Sequence, residues 1–320
     1  MTHPLTQSSW SLDQQTPELM IIPLTHLGLM KISGEQHHSF LQGQVTTDID
    51  SLGTDKWHWG AHCDPKGKML ASFRVFNFND ALLMLMPNTT LQADLPLLAK
   101  YAVFSQVELT DASNEFTILG ITGTQASTWI KKQFGEVNSP VSLIENGIII
   151  QDNDRFIIIV KPEFANQLMT NNDTFINHSA TWQALEILAG YPNIDVAHQG
   201  QFVPQMCNLQ AINGISFTKG CYMGQETIAR MKYRGGNKRA LYIISGTTTQ
   251  NISLNSKLEI ALDELNYRNA GKIIEIVQDN DRVLLTAVMP NDTTMEATLR
   301  FQGDTQANLR IQPLPYSLEE

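Results

Sequence analysis

One thiol stands between two glycines and close to a lysine in Lys219-Gly220-Cys221-Tyr222-Met223-Gly224-Gln225-Glu226. Cysteine chemistry runs through the thiolate, which a neighbouring cation or the positive end of a helix favours over the thiol. Lys219 supplies the cation, Gln225 to Arg230 reads as the opening turns of a helix, and Gly220 and Gly224 give backbone freedom that a Cβ would deny. The expectation is a reactive, accessible thiol at Cys221, assisted by Lys219 and more acidic than Cys63 or Cys207. The alternative is the common fate of a free cysteine, a small buried hydrophobe.

Trp182 and Glu186 form a second constellation. Four residues apart on a helix, they share a face and pair a flat apolar surface with a hydrogen-bond acceptor. A pterin needs both, although a core tryptophan beside a solvent-edge glutamate fits the same spacing. Five basic residues, Arg230, Lys232, Arg234, Lys238 and Arg239, gather around Tyr233 and Gly235-Gly236. They could hold a polyanion, either a folate polyglutamate tail or an RNA backbone, or form a solvated loop. His62 and Asp64 fall on one face of a strand and Cys63 on the other, which favours structural roles over a metal site. No Walker loop, Rossmann glycine pattern, His-Glu-x-x-His or Ser-His-Asp signature is present.

A formal charge of −10 disfavours nonspecific attraction to nucleic acid by the chain as a whole. Three cysteines without a Cys-x-x-Cys pair suggest neither a disulfide framework nor a local zinc or cluster site. The amino-terminal residues lack a signal-peptide pattern, and no apolar run reaches the roughly 18 to 20 residues of a bilayer span. A cytoplasmic protein without membrane contact is expected.

These residues need elements to position them. Periodicity predicts a helix over Ser33 to Gln42 and strands over Lys56 to Cys63, Met69 to Phe78 and Ala81 to Met86, the first two joined by an Asp64-Pro65-Lys66-Gly67 turn. Further strands are expected at Phe116 to Ile121, Gly147 to Ile150 and Phe156 to Val160, with a helix at Gln125 to Phe134 and another from His178 to Gly190. Gln-Asp-Asn-Asp-Arg occurs at both 151–155 and 278–282 between apolar runs, where hairpin turn chemistry accounts for it. After Arg239 five short strands alternate with polar links. The reading is an α+β body over residues 1–235 followed by a small C-terminal β-barrel over 236–320.

The motif at 219–226 resembles the signature of the YgfZ family of folate-binding proteins needed for modification of some tRNAs. The likeness extends through Leu41-Gln42-Gly43-Gln44-Val45-Thr46 with Asp48, Lys100-Tyr101-Ala102-Val103-Phe104-Ser105, Gly200-Gln201-Phe202-Val203-Pro204-Gln205, Asn237-Lys238-Arg239-Ala240-Leu241 and the terminal Pro313 to Glu320. The family is related to the glycine-cleavage aminomethyltransferase and to a mitochondrial iron-sulfur assembly factor. The resemblance implies an aminomethyltransferase-like body of two α+β lobes, folate (tetrahydrofolate or a derivative) as the bound cofactor, and iron-sulfur or tRNA-modifying enzymes as partners. It places Trp182 at the folate site, with Leu27, Tyr222, Gln225, Glu226 and Arg234 as further folate-binding candidates and Glu186 as a candidate substitute for a missing glutamate. Two departures stand out: Leu188 occupies the glutamate position of a Glu-Ala-Gly-x-Pro motif, and Leu27 replaces a second folate-associated tryptophan. The implied function is support of the iron-sulfur enzymes that thiolate or methylthiolate tRNA, with a folate-dependent aminomethyl-type transferase, or a folate-sensing scaffold, as the alternatives.

Overall fold

The computed structural model describes residues 18–170, 175–176 and 179–318. The polar residues 2–9, His178 at the head of an expected helix, and the last two residues of the terminal motif lie outside these. The chain divides into two compact units. One holds the described residues up to Phe40, Ile49–His58 and Arg74–Trp182; the other holds Leu41–Asp48, Trp59–Phe73 and Gln183 onward.

The first unit carries a six-stranded sheet in the order Phe175–Ile176, Met20–Pro23, Thr117–Thr122, Arg155–Val160, Gly147–Asp152, Val141–Ile144. Only the Met20–Pro23 and Phe175–Ile176 pair runs parallel. Arg155–Val160 is buried at every position, so both of its faces are covered and its sequence shows no alternation. On one face Leu119, Ile121, Ile149, Phe156 and Ile158 pack with Trp129 and Ile130 of helix Ala126–Phe134 and Leu168 of helix Pro162–Thr170. Gly120 points the other way and leaves room for the Trp182 indole, because a Cβ there would sit 2.4 Å from Trp182 Cε3. A second sheet takes the order Trp57–Cys63, Met69–Phe78, Ala81–Pro87, Leu27–Ser33, Glu108–Asp111. The helix expected from Ser33 begins instead at His37, because Leu27–Ser33 is a strand and Gly34 turns the chain at φ +105°. Helix Asn88–Ala99, with Pro96 inside it, has no counterpart in the sequence expectation.

In the second unit, six strands close into a barrel in the order Arg239–Thr247, Arg282–Pro290, Tyr267–Asp279, Leu258–Ala261, Leu299–Phe301, Asn308–Gln312. Ile244, Leu258, Ile273, Leu285, Phe301 and Ile311 fill it. The expected five strands are all present. The sixth, Asn308–Gln312, is the one that closes the barrel, pairing antiparallel with both Arg239–Thr247 and Leu299–Phe301.

Both copies of Gln-Asp-Asn-Asp-Arg make the same hairpin, with Asn153 at φ 56° and Asn280 at φ 53°. Asparagine tolerates this left-handed conformation better than other residues with a Cβ. Burial separates the two copies. Asp152 is 2% exposed, and its Oδ2 accepts from Arg74 Nη2 at 3.1 Å and Arg155 Nη2 at 2.8 Å. The Arg74 guanidinium lies 5.5 Å from the Trp57 ring centroid and that of Arg155 4.8 Å from Trp182's. One carboxylate thus compensates two buried cations that also rest on indoles. Asp152→Asn should lower the unfolding free energy by about 3 to 5 kcal/mol, whereas Asp279→Asn, at the same place in the second hairpin, should stay within about 0.5 kcal/mol. Urea unfolding of the two variants measures the difference.

Candidate functional site

The Lys219–Glu226 segment lies in the second unit against Leu41–Asp48. That short stretch pairs with its neighbours mainly through scattered bonds. Thr46 N–H donates to Ala61 O at 2.9 Å, Ser216 N–H donates to Thr46 O at 2.8 Å, and Met223 N–H donates to Gly43 O at 3.1 Å. The buried Thr46 hydroxyl donates to Gly214 O at 2.6 Å and accepts from Ala61 N–H at 2.9 Å. Three further carbonyls, those of Gln42, Val45 and Thr47, converge on the Lys219 ammonium at 2.6, 2.9 and 2.7 Å. An ammonium offers three donors and no acceptor, and three carbonyls answer it here. The same Nζ lies 5.1 Å from the Tyr222 ring centroid. Lys219 therefore ties the motif to Gln42–Thr47, a structural role that its position near Cys221 in sequence does not reveal.

The two glycines of the motif have different reasons. Gly224 caps helix Gln225–Arg234 at φ 79°, and a Cβ on it would meet Asp64 O at 2.7 Å and Gly67 Cα at 2.8 Å. Gly67, at φ 75°, in turn lies against Thr227 of that helix. The Asp64–Lys68 turn is closed by Asp64 Oδ1, which accepts from Lys66 and Lys68 N–H at 2.9 and 2.8 Å. Two backbones thus meet where neither could carry a side chain. Gly220 has no positive φ and open space where a Cβ would sit, so the freedom expected of both glycines is required only at Gly224.

Cys221 is exposed, while Cys63 and Cys207 are buried. Complete burial pushes the Cys207 thiol well above the ordinary cysteine range. Tyr222 is buried, and burial likewise raises its hydroxyl far above the phenol range. Gln225 Nε2 reaches back to Gly220 O at 3.4 Å, and Glu226 and Arg234 are exposed on the helix. Cys221, Lys219, Tyr222 and Gln225 are thus brought together. His62 and Cys63 are buried strand residues, and Asp64 closes the turn. The sequence reading did not single out Gln42, Val45 and Thr47, whose carbonyls form the lysine cradle. The only signal is that Gln42 and Val45 fall within one of the long matched stretches and Thr47 directly follows it.

The remaining candidates are placed as follows. Trp182, in the first unit, is 0% exposed, and its Nε1 has no hydrogen-bond partner among the described residues. Leu27 is buried at the start of its strand, opposite Pro87. Glu186, in the second unit, is 2% exposed and accepts from Asn193 Nδ2 at 3.4 Å; the same Nδ2 donates to Glu275 Oε2 at 3.2 Å. Leu188, at the end of helix Ser179–Leu188, is 45% exposed.

Replacing the lysine separates its structural role from a catalytic one. Lys219→Met should cost about 2 to 3 kcal/mol, because three carbonyls lose a charged donor. Lys219→Arg should not restore the loss, since a planar guanidinium cannot fill a three-way cradle. Guanidinium unfolding reads this directly. A lysine serving chemistry alone would leave the midpoint unchanged.

Comparison with known proteins matches residues 237–304 to the model of the YgfZ β-barrel domain. Over 311 residues and 94% of both chains, the sequence is 41% identical to the tRNA-modifying protein YgfZ of Yersinia pestis (strain Pestoides F). It is 40% identical, with the same coverage, to that of Yersinia enterocolitica serotype O:8 / biotype 1B. The fold is similar to that of the glycine cleavage system aminomethyltransferase T of Bartonella henselae, with a TM-score of 0.67 at 16% identity over 93% of this chain and 86% of that one. The architecture is therefore an aminomethyltransferase-like α+β fold with a C-terminal β-barrel, and the chain belongs to the YgfZ family.

Proposed function

We propose that this protein binds a reduced folate in the cytoplasm and supports assembly or repair of the iron-sulfur enzymes that thiolate or methylthiolate tRNA, using Cys221 as a reactive thiol. The observation that carries the reading is the exposure of Cys221 on a firmly held loop, beside a lysine cradle and a glycine-to-glycine contact. A thiol held at the surface on a rigid support can meet a partner protein or a cluster iron. The name of the Yersinia relatives supports the link to tRNA.

The residues fit a folate in part. Trp182 offers a buried N–H without a described partner, which a pterin carbonyl or ring nitrogen could accept from. Its indole already carries Arg155 over one face, so a hydrogen bond suits this tryptophan better than stacking on that face. Bound folate would supply a one-carbon carrier; this chain's residues would bind and orient it.

Two experiments test the reading. In a strain lacking the gene, Cys221→Ser should keep its stability within about 0.5 kcal/mol yet leave thiolated and methylthiolated nucleosides at the deletion level in digested tRNA. Full restoration by the serine variant would remove the thiol from the function. Trp182→Phe keeps a ring in the core but deletes the N–H. By calorimetry it should weaken tetrahydrofolate binding about 3- to 10-fold, the worth of one hydrogen bond. An unchanged affinity in a folded variant would make Trp182 a core residue only.

A further inference from the structure

Helix Gln225–Arg234 presents Glu226, Arg230, Tyr233 and Arg234 to solvent, and Lys238 and Arg239 follow it, also exposed. Among the described residues, none of Arg230, Arg234, Lys238 and Arg239 forms an ion pair. Between Thr227 and Ser256 lie five basic residues and no acidic one; the rest of the chain sets 17 of its 22 basic residues against all 32 acidic ones. Such segregation concentrates positive charge on this stretch of an acidic chain, with exposed Glu226 and Asp292 at its margins. Basic residues in a last helical turn answer the negative end of the helix, which accounts for Lys232 and Arg234 but not for Lys238 and Arg239 beyond it.

The backbone under this surface is fixed. Asn237 Nδ2 donates to Gln205 O at 3.0 Å, Asn237 Oδ1 accepts from Arg239 N–H at 3.2 Å, and Asn291 N–H donates to Lys238 O at 3.0 Å. Between the helix and this anchor, Gly235 and Gly236 turn through φ 66° and 124° with nothing within 4 Å of an added Cβ. Tyr233, 69% exposed, stands on the same stretch. Cations without carboxylate partners, an unobstructed backbone and an exposed aromatic ring are what a single-stranded stretch of nucleic acid requires: charge for phosphates and a platform for an unpaired base.

We infer that this surface binds RNA directly, with Arg230, Arg234, Lys238 and Arg239 on the phosphate backbone and Tyr233 stacking on an unpaired base. The inference deepens the proposed link to tRNA by giving this chain its own contact with RNA, and binding in vitro tests it apart from the modification profile.

The test is fluorescence anisotropy with the purified full-length protein and a labelled, unmodified tRNA transcript across a salt series. Wild type should bind, with log K falling linearly in log salt. Arg230→Gln/Arg234→Gln/Lys238→Gln should lower the magnitude of that slope by about 2 to 3, since each neutralised phosphate contributes roughly 0.7 to 0.9. The charge-keeping double variant Arg230→Lys/Arg234→Lys should keep the slope. Tyr233→Ala should weaken binding at least 5-fold with the slope unchanged, which loss of charge would not do. Thermal melting confirms that each variant is folded. No binding by wild type, or an undiminished slope in the glutamine variant, overturns the inference. So does displacement of the RNA by equimolar short polyglutamate, which would mark the surface as a folate-tail site. A glutamine variant that loses RNA yet restores tRNA modification would end any role for this contact while leaving the Cys221 reading standing.

Discussion

Three backbone carbonyls pointing at one ammonium hold the candidate site together. The Gln42–Asp48 stretch has few ladder bonds, yet Val45, Thr46 and Thr47 are essentially inaccessible to water. Buried carbonyls must find donors, and Lys219 supplies three at once from a residue 172 to 177 positions away. The motif loop, the head of its helix and the Asp64–Lys68 turn inherit their positions from that cradle and from the contact between Gly67 and Gly224. The exposure of Cys221 is thus the product of well-buried surroundings.

The sequence shows the pieces of this region more readily than their roles. Alternation and turn chemistry give most strands of both units to within one or two residues, and the Asn-Asp turns at 79, 153 and 280 all take the left-handed conformation that asparagine suits. The start of the first helix is hidden because Gly34 looks like ordinary helix-entry flexibility, whereas its φ +105° excludes a helix there. Helix Asn88–Ala99 escapes because Pro96 reads as a breaker. A lysine beside a cysteine suggests electrostatics, and nothing local says that its ammonium is committed to carbonyls far away in the chain. The same limit applies to Asp152 and Asp279, identical in their pentapeptides and different only in what the fold packs over them.

Charge is handled oppositely in different parts of the molecule. Where Arg74 and Arg155 are buried, a carboxylate and two indoles answer them. Where Arg230, Arg234, Lys238 and Arg239 are exposed, Glu226 is the one acidic residue on the same helix, and no ion pair joins them among the described residues. Burial makes an uncompensated cation costly, whereas water tolerates it, so segregated positive charge persists only at the surface.

The last barrel strand, Asn308–Gln312, joins Leu299–Phe301 to Arg239–Thr247 and so closes the cylinder. Losing it would leave two long-range partners with open hydrogen-bonding edges on a hydrophobic cylinder. Such edges invite pairing between copies. The closure of the barrel thus depends on Asn308–Gln312, and a frameshift or a protease acting near residue 305 would convert a closed surface into an adhesive one.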